Sequence, residues 1–310
     1  MDWNSRRITS IIERALLEDR ATRDATSAAC NDPTQLATGT VIAKQDCTLA
    51  GVDAVTRVLE VFATLDGADV SGHPEVTSHP EIFDGVRLRK GQTIAVIRHQ
   101  ARVILSCERV ILNLMQRMSG IATLTRQYVD AIAGTKARIL DTRKTAPGLR
   151  LLDKFAVRCG GGTNHRLDLS DGILIKNNHI ALAGSAGEAM RRAIANRPGS
   201  QPIQIEVRSL EELDDALRNG ADGILLDNMT PAEVRVCVEF ARAFSAQPTQ
   251  AGRYVALECS GGMNLETVRA YAETGVDFIS VGALTHSVKA VDMNLRVTPG
   301  LGLSRQREAM

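Results

Sequence analysis

An α/β fold, with an incomplete (β/α) barrel in the second half of the chain and a mixed α/β domain before it, is predicted by three observations. Six short apolar runs recur after Thr135: Ile139-Leu140-Asp141, Ile173-Leu174-Ile175-Lys176, Ile203-Gln204-Ile205-Glu206, Ile224-Leu225-Leu226-Asp227, Val255-Ala256-Leu257-Glu258 and Phe278-Ile279-Ser280-Val281. Each is separated from the next by helix-like sequence, and buried apolar strands alternating with helices build βα units around a parallel sheet. The pairs Ser185/Glu188, Ser209/Glu212 and Thr230/Glu233 have the spacing of a capping box, in which hydroxyl and carboxylate each satisfy an orphan backbone N–H. Gly220 and Gly275 fall where a helix needs a left-handed residue after its end. Length is the third observation: a closed eight-fold barrel takes about 250 residues, and residues 115–288 fall short of it.

Ahead of the barrel, Ile8 to Leu17 has helical periodicity, and Gly39 to Ala50 alternates as a strand does before a turn at Gly51. Val55, Val58, Leu59 and Phe62 share one helical face, and Val86 to Val96, with Gly91 in its middle, predicts a short hairpin. From Ala101 to Ile132 runs one long helix, or two helices broken near Ser119-Gly120. The expected limits are 1–114 for the first domain, 115–288 for the barrel and 289–310 for a C-terminal segment.

Composition narrows the function. A formal charge of +1 on 310 residues gives no reason to expect nucleic acid or an anionic membrane as a partner. No run of about eighteen apolar residues occurs, and Met1 to Arg7 has no export signal. Cys30, Cys47, Cys107, Cys159, Cys237 and Cys259 form no Cys-x-x-Cys pair, so core thiols in a reducing cytoplasm are expected rather than zinc or disulfides.

The segment from Ile139 to Ile180 carries most of the chemistry. Thr142, Arg143, Lys144, His165, Arg166 and Lys176 follow apolar strands or a Gly-rich turn, where a barrel places its ligand, and they predict a pocket for an acidic small molecule. A solvated charged face is the plainer alternative. Strand ends share one mouth, so Arg143, Lys144, Lys176, Glu206, Asp227, Ser260 and Gly282 should converge. Two carboxylates, Glu206 and Asp227, suit a Mg²⁺ that also binds substrate oxygens, although each alone is an ordinary strand-end or capping residue. Ser260-Gly261-Gly262, ahead of a helix expected from Asn264, and Val281-Gly282-Ala283 read as turns that approach phosphate. His73, His79 and His99 read as surface residues, and His179 and His286 as loop or supporting groups. On the residues alone, a lyase with Lys144 or Lys176 as Schiff-base nucleophile and a non-catalytic dicarboxylate sensor stay open.

The stretch ILDTRKTAPGLRLLDKFAVRCGGGTNHRLDLSDGILIKNNHI closely resembles the quinolinate phosphoribosyltransferases, and the resemblance continues through Glu206, LLDNM at Leu225 to Met229, ECSGG at Glu258 to Gly262 and SVGALTHS at Ser280 to Ser287. One segment departs from the family pattern: Glu18 to Thr26 lacks the usual glycine in its turn. The resemblance implies an N-terminal α/β sandwich that the last residues rejoin, and a barrel of six or seven strands. It implies conversion of quinolinate and phosphoribosyl pyrophosphate to nicotinate mononucleotide, CO₂ and pyrophosphate in NAD synthesis, with Mg²⁺. Arg143, His165, Arg166 and Lys176 would clamp the two carboxylates, and Lys144 and Lys176 would lie near the pyrophosphate. Glu206 and Asp227 would hold Mg²⁺ and ribose hydroxyls; Ser260, Gly261, Gly262, Val281, Gly282 and Ala283 would border phosphate. Thr142 belongs to the same substrate-binding set. Arg109 matches an arginine that enters the neighbouring subunit's site, which implies a homodimer or a larger assembly. A same-fold transferase with another acceptor, such as the homologues linked to molybdate transport, is the near alternative.

Overall fold

The computed structural model of the chain describes residues 1–248 and 253–300, which form two compact units. The first comprises Met1–Leu124, Ala146–Gly161 and the described part of Val288–Met310; the second comprises Thr125–Thr145 and Gly162–Ser287.

In the first unit, α1 (Arg6–Glu18) buries Ile8, Ile12 and Leu16, so residues four apart lay one apolar stripe on the core. Asp24 caps the short α2 (Ala25–Cys30), its carboxylate accepting from the Ser27 N–H at 3.0 Å. In the Gly-less turn between them Arg20 takes φ +51°, ψ +42°. The turn is therefore left-handed even without glycine, with an arginine in a conformation that glycine adopts more cheaply. β1 (Leu36–Ala43) alternates buried residues with half-buried ones after an exposed Leu36, and β2 (Cys47–Thr48) and α3 (Ala54–Phe62) follow, the helix burying Val55, Val58, Leu59 and Phe62.

β3 (Glu75–Thr77), β4 (Arg87–Leu88) and β5 (Thr93–Gln100) complete this half, and the hairpin expected over 86–96 is absent. β4 pairs with β2, while β5 pairs with β1 and β3. Gly91 does turn the chain at φ +91°, but its N–H donates to the Ala43 carbonyl at 2.8 Å, which ties the turn to β1. His99 is buried rather than superficial, because the alternation of β5 points it inward. The last strand, Met293–Pro299, pairs antiparallel with β1, giving a four-stranded sheet ordered last strand, β1, β5, β3.

α4 (Ala101–Ala131) is one unbroken helix. Gly120 serves clearance rather than a break: a Cβ there would stand 2.3 Å from the Lys289 carbonyl oxygen. The expected domain limit at 114 shifts, since the division between units falls after Leu124, inside α4. The barrel limits also lose residues 146–161, which belong to the first unit. An ion pair gives the reason. After β6 (Arg138–Leu140), α5 (Arg150–Cys159) places Asp153, fully buried, where Arg117 Nε and Nη2 donate to its two carboxylate oxygens at 2.8 and 2.7 Å. Phe155 meets Trp3 edge-on at 5.9 Å between ring centroids. Arg117→Ala would strand a buried carboxylate, so urea unfolding should show a loss of about 3–5 kcal/mol. A loss below about 1 kcal/mol, the range of an exposed pair, would show that this contact does not hold α5 in place.

The second unit contains β6 and then β7 (Ile173–Ile175), β8 (Ile203–Val207), β9 (Gly223–Asp227), β10 (Ala256–Ser260) and β11 (Phe278–Ser280). All six apolar runs are thus strands, and they form one parallel sheet ordered β6, β11, β10, β9, β8, β7. β6 and β7 end the sheet unpaired with each other, so the barrel is incomplete and has a seam. Thr163 bridges to Leu140 on the β6 side of that seam. Between the strands lie α6 (Asn177–Ala183), α7 (Ala186–Asn196), α8 (Leu210–Arg218), α9 (Pro231–Ser245), α10 (Val268–Ala272) and α11 (Ala283–His286). Ser185, Ser209 and Thr230 each accept the expected backbone N–H, but only Thr230 and Glu233 complete the reciprocal box. Glu188 instead pairs with Arg191 and Arg192, and Glu212 accepts from the Arg208 N–H at 2.7 Å. Gly220 and Gly275 are left-handed, at φ +92° and +90°. Among the described residues no helix is long and apolar enough to cross a membrane.

Candidate active site

Within the second unit a cavity of about 450 Å³ is lined by Thr142, Arg143, Lys144, His165, Arg166, Leu174, Lys176, Glu206, Leu225, Asp227, Glu258, Ser260 and Ser280. Nine of the fifteen residues expected at the site therefore share one space. The topology divides them by charge. Arg143 and Lys144 follow β6, Lys176 follows β7 and Arg166 lies in the segment beside β6, so the cations flank the seam. Glu206, Asp227 and Glu258 come from β8, β9 and β10, three adjacent strands.

The cationic side is poorly neutralised. Burial, and then repulsion from Arg143, push the Arg166 guanidinium below its ordinary pKa, with Asp171 only partly opposing. The buried Arg143 Nε has no hydrogen-bond partner in the protein. Two neighbouring guanidiniums with an unused buried donor fit a ligand carrying more than one carboxylate. The segment that presents Arg166 is pinned from below: fully buried Asp141 accepts from Asn164 Nδ2 at 2.6 Å and from the His165 N–H at 2.8 Å. Thr142 Oγ1 accepts from the Lys144 N–H at 3.1 Å, and Thr285 Oγ1 donates to the Lys144 carbonyl at 2.8 Å.

On the acidic side, burial and the Asp227 charge raise the Glu206 pKa above the ordinary carboxylate value. Asn177 Nδ2 donates to Glu206 Oε1 and, at 3.4 Å, to Asp227 Oδ2; Arg208 Nε also lies 3.4 Å from Asp227 Oδ2. Two carboxylates held together against their own repulsion fit a divalent cation. Magnesium commonly takes one or two carboxylates and completes its shell with water and substrate oxygens. Among the described residues no cluster of three or more His, Cys, Asp or Glu is placed to hold a metal ion.

The turns differ from expectation. Gly261, Gly262, Val281, Gly282 and Ala283 do not line the cavity. Val281 is fully buried and its N–H donates to the Leu140 carbonyl at 3.0 Å, so it has no donor to offer phosphate. Gly261 (φ +104°) is explained by Asn228, whose Oδ1 would be 2.2 Å from an added Cβ. Gly262 (φ +60°) faces open space and stays available to a ligand. Gly282 leaves room for its neighbours, since a Cβ would meet His286 Nε2 at 3.0 Å and Lys144 Cδ at 3.3 Å. Asn264 caps the chain as expected, its side chain accepting from the Glu266 and Thr267 N–H groups and its carbonyl from the Val268 N–H at 3.0 Å, while the regular turns of α10 begin at Val268. Arg109 is exposed on the part of α4 that belongs to the first unit.

Sequence reasoning missed Asn177, Arg208, Glu258 and Ser280 as site residues. Glu258 is 2% exposed; its Oε2 accepts from Gln204 Nε2 at 2.7 Å, and Ser280 Oγ donates to its Oε1. The alternation of β10, which points Ala256, Glu258 and Ser260 the same way, could have found it. His179 Nδ1 accepts from the Lys176 N–H at 2.8 Å, a supporting role, and His286 pairs with Ser287 Oγ at 2.6 Å. Four cysteines are buried, but Cys30 is exposed and Cys159 partly so, as each ends a helix. Burial pushes the Cys259 thiol up to about 12, so it is no nucleophile.

Family models for the N-terminal and C-terminal domains of quinolinate phosphoribosyl transferase match residues 24–119 and 121–296. The chain is 45% identical over 285 residues to nicotinate-nucleotide pyrophosphorylase (carboxylating) of Mycobacterium leprae, covering 92% of this chain and 95% of that one. It is 41% identical over 295 residues to the probable enzyme of the same name from Bacillus subtilis, covering 95% of each. The crystal structure of NadC from Streptococcus pyogenes superposes with a TM-score of 0.84 at 36% identity, covering 94% of this chain and 97% of that one.

Proposed function

This chain belongs to the quinolinate phosphoribosyl transferase family, and on that premise we propose that it converts quinolinate and phosphoribosyl pyrophosphate to nicotinate mononucleotide, CO₂ and pyrophosphate in NAD biosynthesis. The supporting observation is the Arg143–Arg166 pair, with its unused buried donor, sharing one cavity with the Glu206–Asp227 pair. Forming a bond between the ribose carbon and the pyridine nitrogen makes the reaction a glycosyl transfer.

Arg143 and Arg166 hold the two ring carboxylates and so aim the pyridine nitrogen at the ribosyl carbon. Departure of pyrophosphate leaves an oxocarbenium-like centre, and Lys144 and Lys176 offset the charge gathering on the leaving group. Magnesium, held by Glu206 and Asp227 with substrate oxygens, would add electrostatic stabilisation of that leaving group. Attack by nitrogen makes the ring cationic; the adjacent positive nitrogen stabilises the electron pair left on the ring carbon when the neighbouring carboxylate leaves as CO₂, and that carbon then takes a proton from water to give the product. The Schiff-base alternative fits less well, because Lys144 and Lys176 are exposed and not desolvated. The proposal includes a homodimer in which Arg109 completes the partner's site, and a cytoplasmic location that suits free cysteines.

Purified protein with Mg²⁺ and phosphoribosyl pyrophosphate should form mononucleotide from quinolinate with one labelled CO₂ released per product. Nicotinate should be used at least about a hundredfold less well, since it leaves one of two half-buried, mutually repelling guanidiniums unpaired. Equal use of the two acids, or product without CO₂, would overturn the assignment.

A further inference from the structure

Beneath the substrate cavity lies a second one of about 580 Å³, in the rear half of the barrel. A filled barrel carries layers of bulky branched side chains. Here the inward positions include Gln204, Gly223 and Ala256, and the rear is hollow. The two cavities have only four lining residues in common: His165, Arg166, Leu174 and Glu258. Two of these are the segment that presents a guanidinium to the acceptor, and a third is a buried carboxylate that the reaction as derived does not use.

Glu258 has partners on three separate segments. Gln204 on β8 donates to Oε2, Ser280 on β11 donates to Oε1, and His165 Nε2 stands 3.4 Å from Oε2. The other ring nitrogen, His165 Nδ1, accepts from the Arg166 N–H at 2.7 Å, which places the histidine proton on Nε2, facing the carboxylate. Both ring nitrogens of His165 therefore face protein groups, and whatever else the ring contacts in the cavity, it links Glu258 to the segment of Arg166. The ring rests on Glu258 at one end and holds the backbone of Arg166 at the other.

We propose that Glu258 is a positioning residue for acceptor recognition: through His165 it fixes the backbone from which Arg166 reaches the acceptor's carboxylates, and so sharpens the preference for a dicarboxylate over a monocarboxylate. This rests on the transferase reading above, which wild-type turnover of quinolinate tests separately. Glu258→Gln keeps size and shape but replaces the acceptor of the His165 Nε2–H with an amide that must also face Gln204. KM for quinolinate should rise about tenfold, the effect of losing one hydrogen bond to a charged group. KM for phosphoribosyl pyrophosphate should stay within about twofold. The quinolinate-to-nicotinate ratio of kcat/KM should narrow by a similar tenfold factor.

A role confined to holding the barrel together would instead lower the melting temperature and disturb both KM values alike. In a His165→Ala background, Glu258→Gln should have little further effect on quinolinate KM, because the path through the ring is already cut. Nitrogen-15 NMR of histidine-labelled wild type should show His165 as the Nε2–H tautomer; this measurement stands even where Glu258→Gln fails to fold. An Nδ1–H tautomer would overturn the proposal, as would a tenfold effect that persists without His165, or matched changes in both KM values.

Discussion

Replacing Glu206 and Asp227 together by Gln and Asn should lower turnover by about a thousandfold while leaving the melting temperature of the metal-free protein unchanged or higher. The reason is that the pair is set against itself. Burial and the neighbouring Asp227 charge hold the Glu206 carboxyl above its ordinary pKa. Its protonated form is therefore favoured by folding, a contribution present below the ordinary carboxylate range and lost as pH rises through the raised value. Above that value both groups are charged and repel, so the amide variant should gain on wild type in thermal melts as pH rises from acid to neutral. Asn177 can still serve an amide at 206, because a Gln carbonyl accepts the same N–H. Magnesium with pyrophosphate should raise the wild-type melting temperature and leave the variant's unmoved. Near-normal turnover by the variant, or full wild-type activity in chelator, would make the pair structural.

The barrel was legible in the sequence because its strands are short, apolar and separated by helices whose first and last turns carry local signals. Thr230/Glu233, Gly220 and Gly275 act within a few residues of themselves, and all three behave as local chemistry dictates. Misjudged elements depend on distant partners. β4 chose β2 over β5, and α5 joined the first unit through Arg117 and Trp3, contacts that span 36 and 152 positions in sequence. The site divides in the same way. Strand-end residues such as Arg143, Lys176, Glu206 and Asp227 meet because parallel strands end at one mouth. Gly261 and Gly282 read as phosphate turns from local sequence, and the fold adds a requirement that local sequence does not show: an added Cβ would crowd Asn228 at the first and His286 and Lys144 at the second. Glu258 escaped notice because its partners, Gln204, Ser280 and His165, become neighbours only when the barrel forms.

Mixing Arg109→Ala with Arg143→Ala should restore activity that neither variant has alone. Arg109 is an exposed residue of α4 in the first unit, with a guanidinium that the fold does not require for its core. The resemblance of Glu108-Arg109 to a family position that reaches the neighbouring subunit's site would give this charge a task across the two-fold interface proposed above. Arg143, with its unpartnered buried Nε, would supply the other half. Each homodimer should lose at least about a hundredfold in kcat/KM, since each site lacks one guanidinium of the clamp. In an isologous dimer both sites take Arg109 from one chain and Arg143 from the other, so a mixed dimer holds one intact site and one site missing both groups. Random pairing at equal amounts makes half of the dimers mixed, and activity should climb to about a quarter of wild type. Subunit exchange is followed independently by mass-tagging one variant. Exchange without recovery would place both arginines in sites built from a single chain, whereas recovery above about a quarter would mean that one of the two homodimers retains activity of its own.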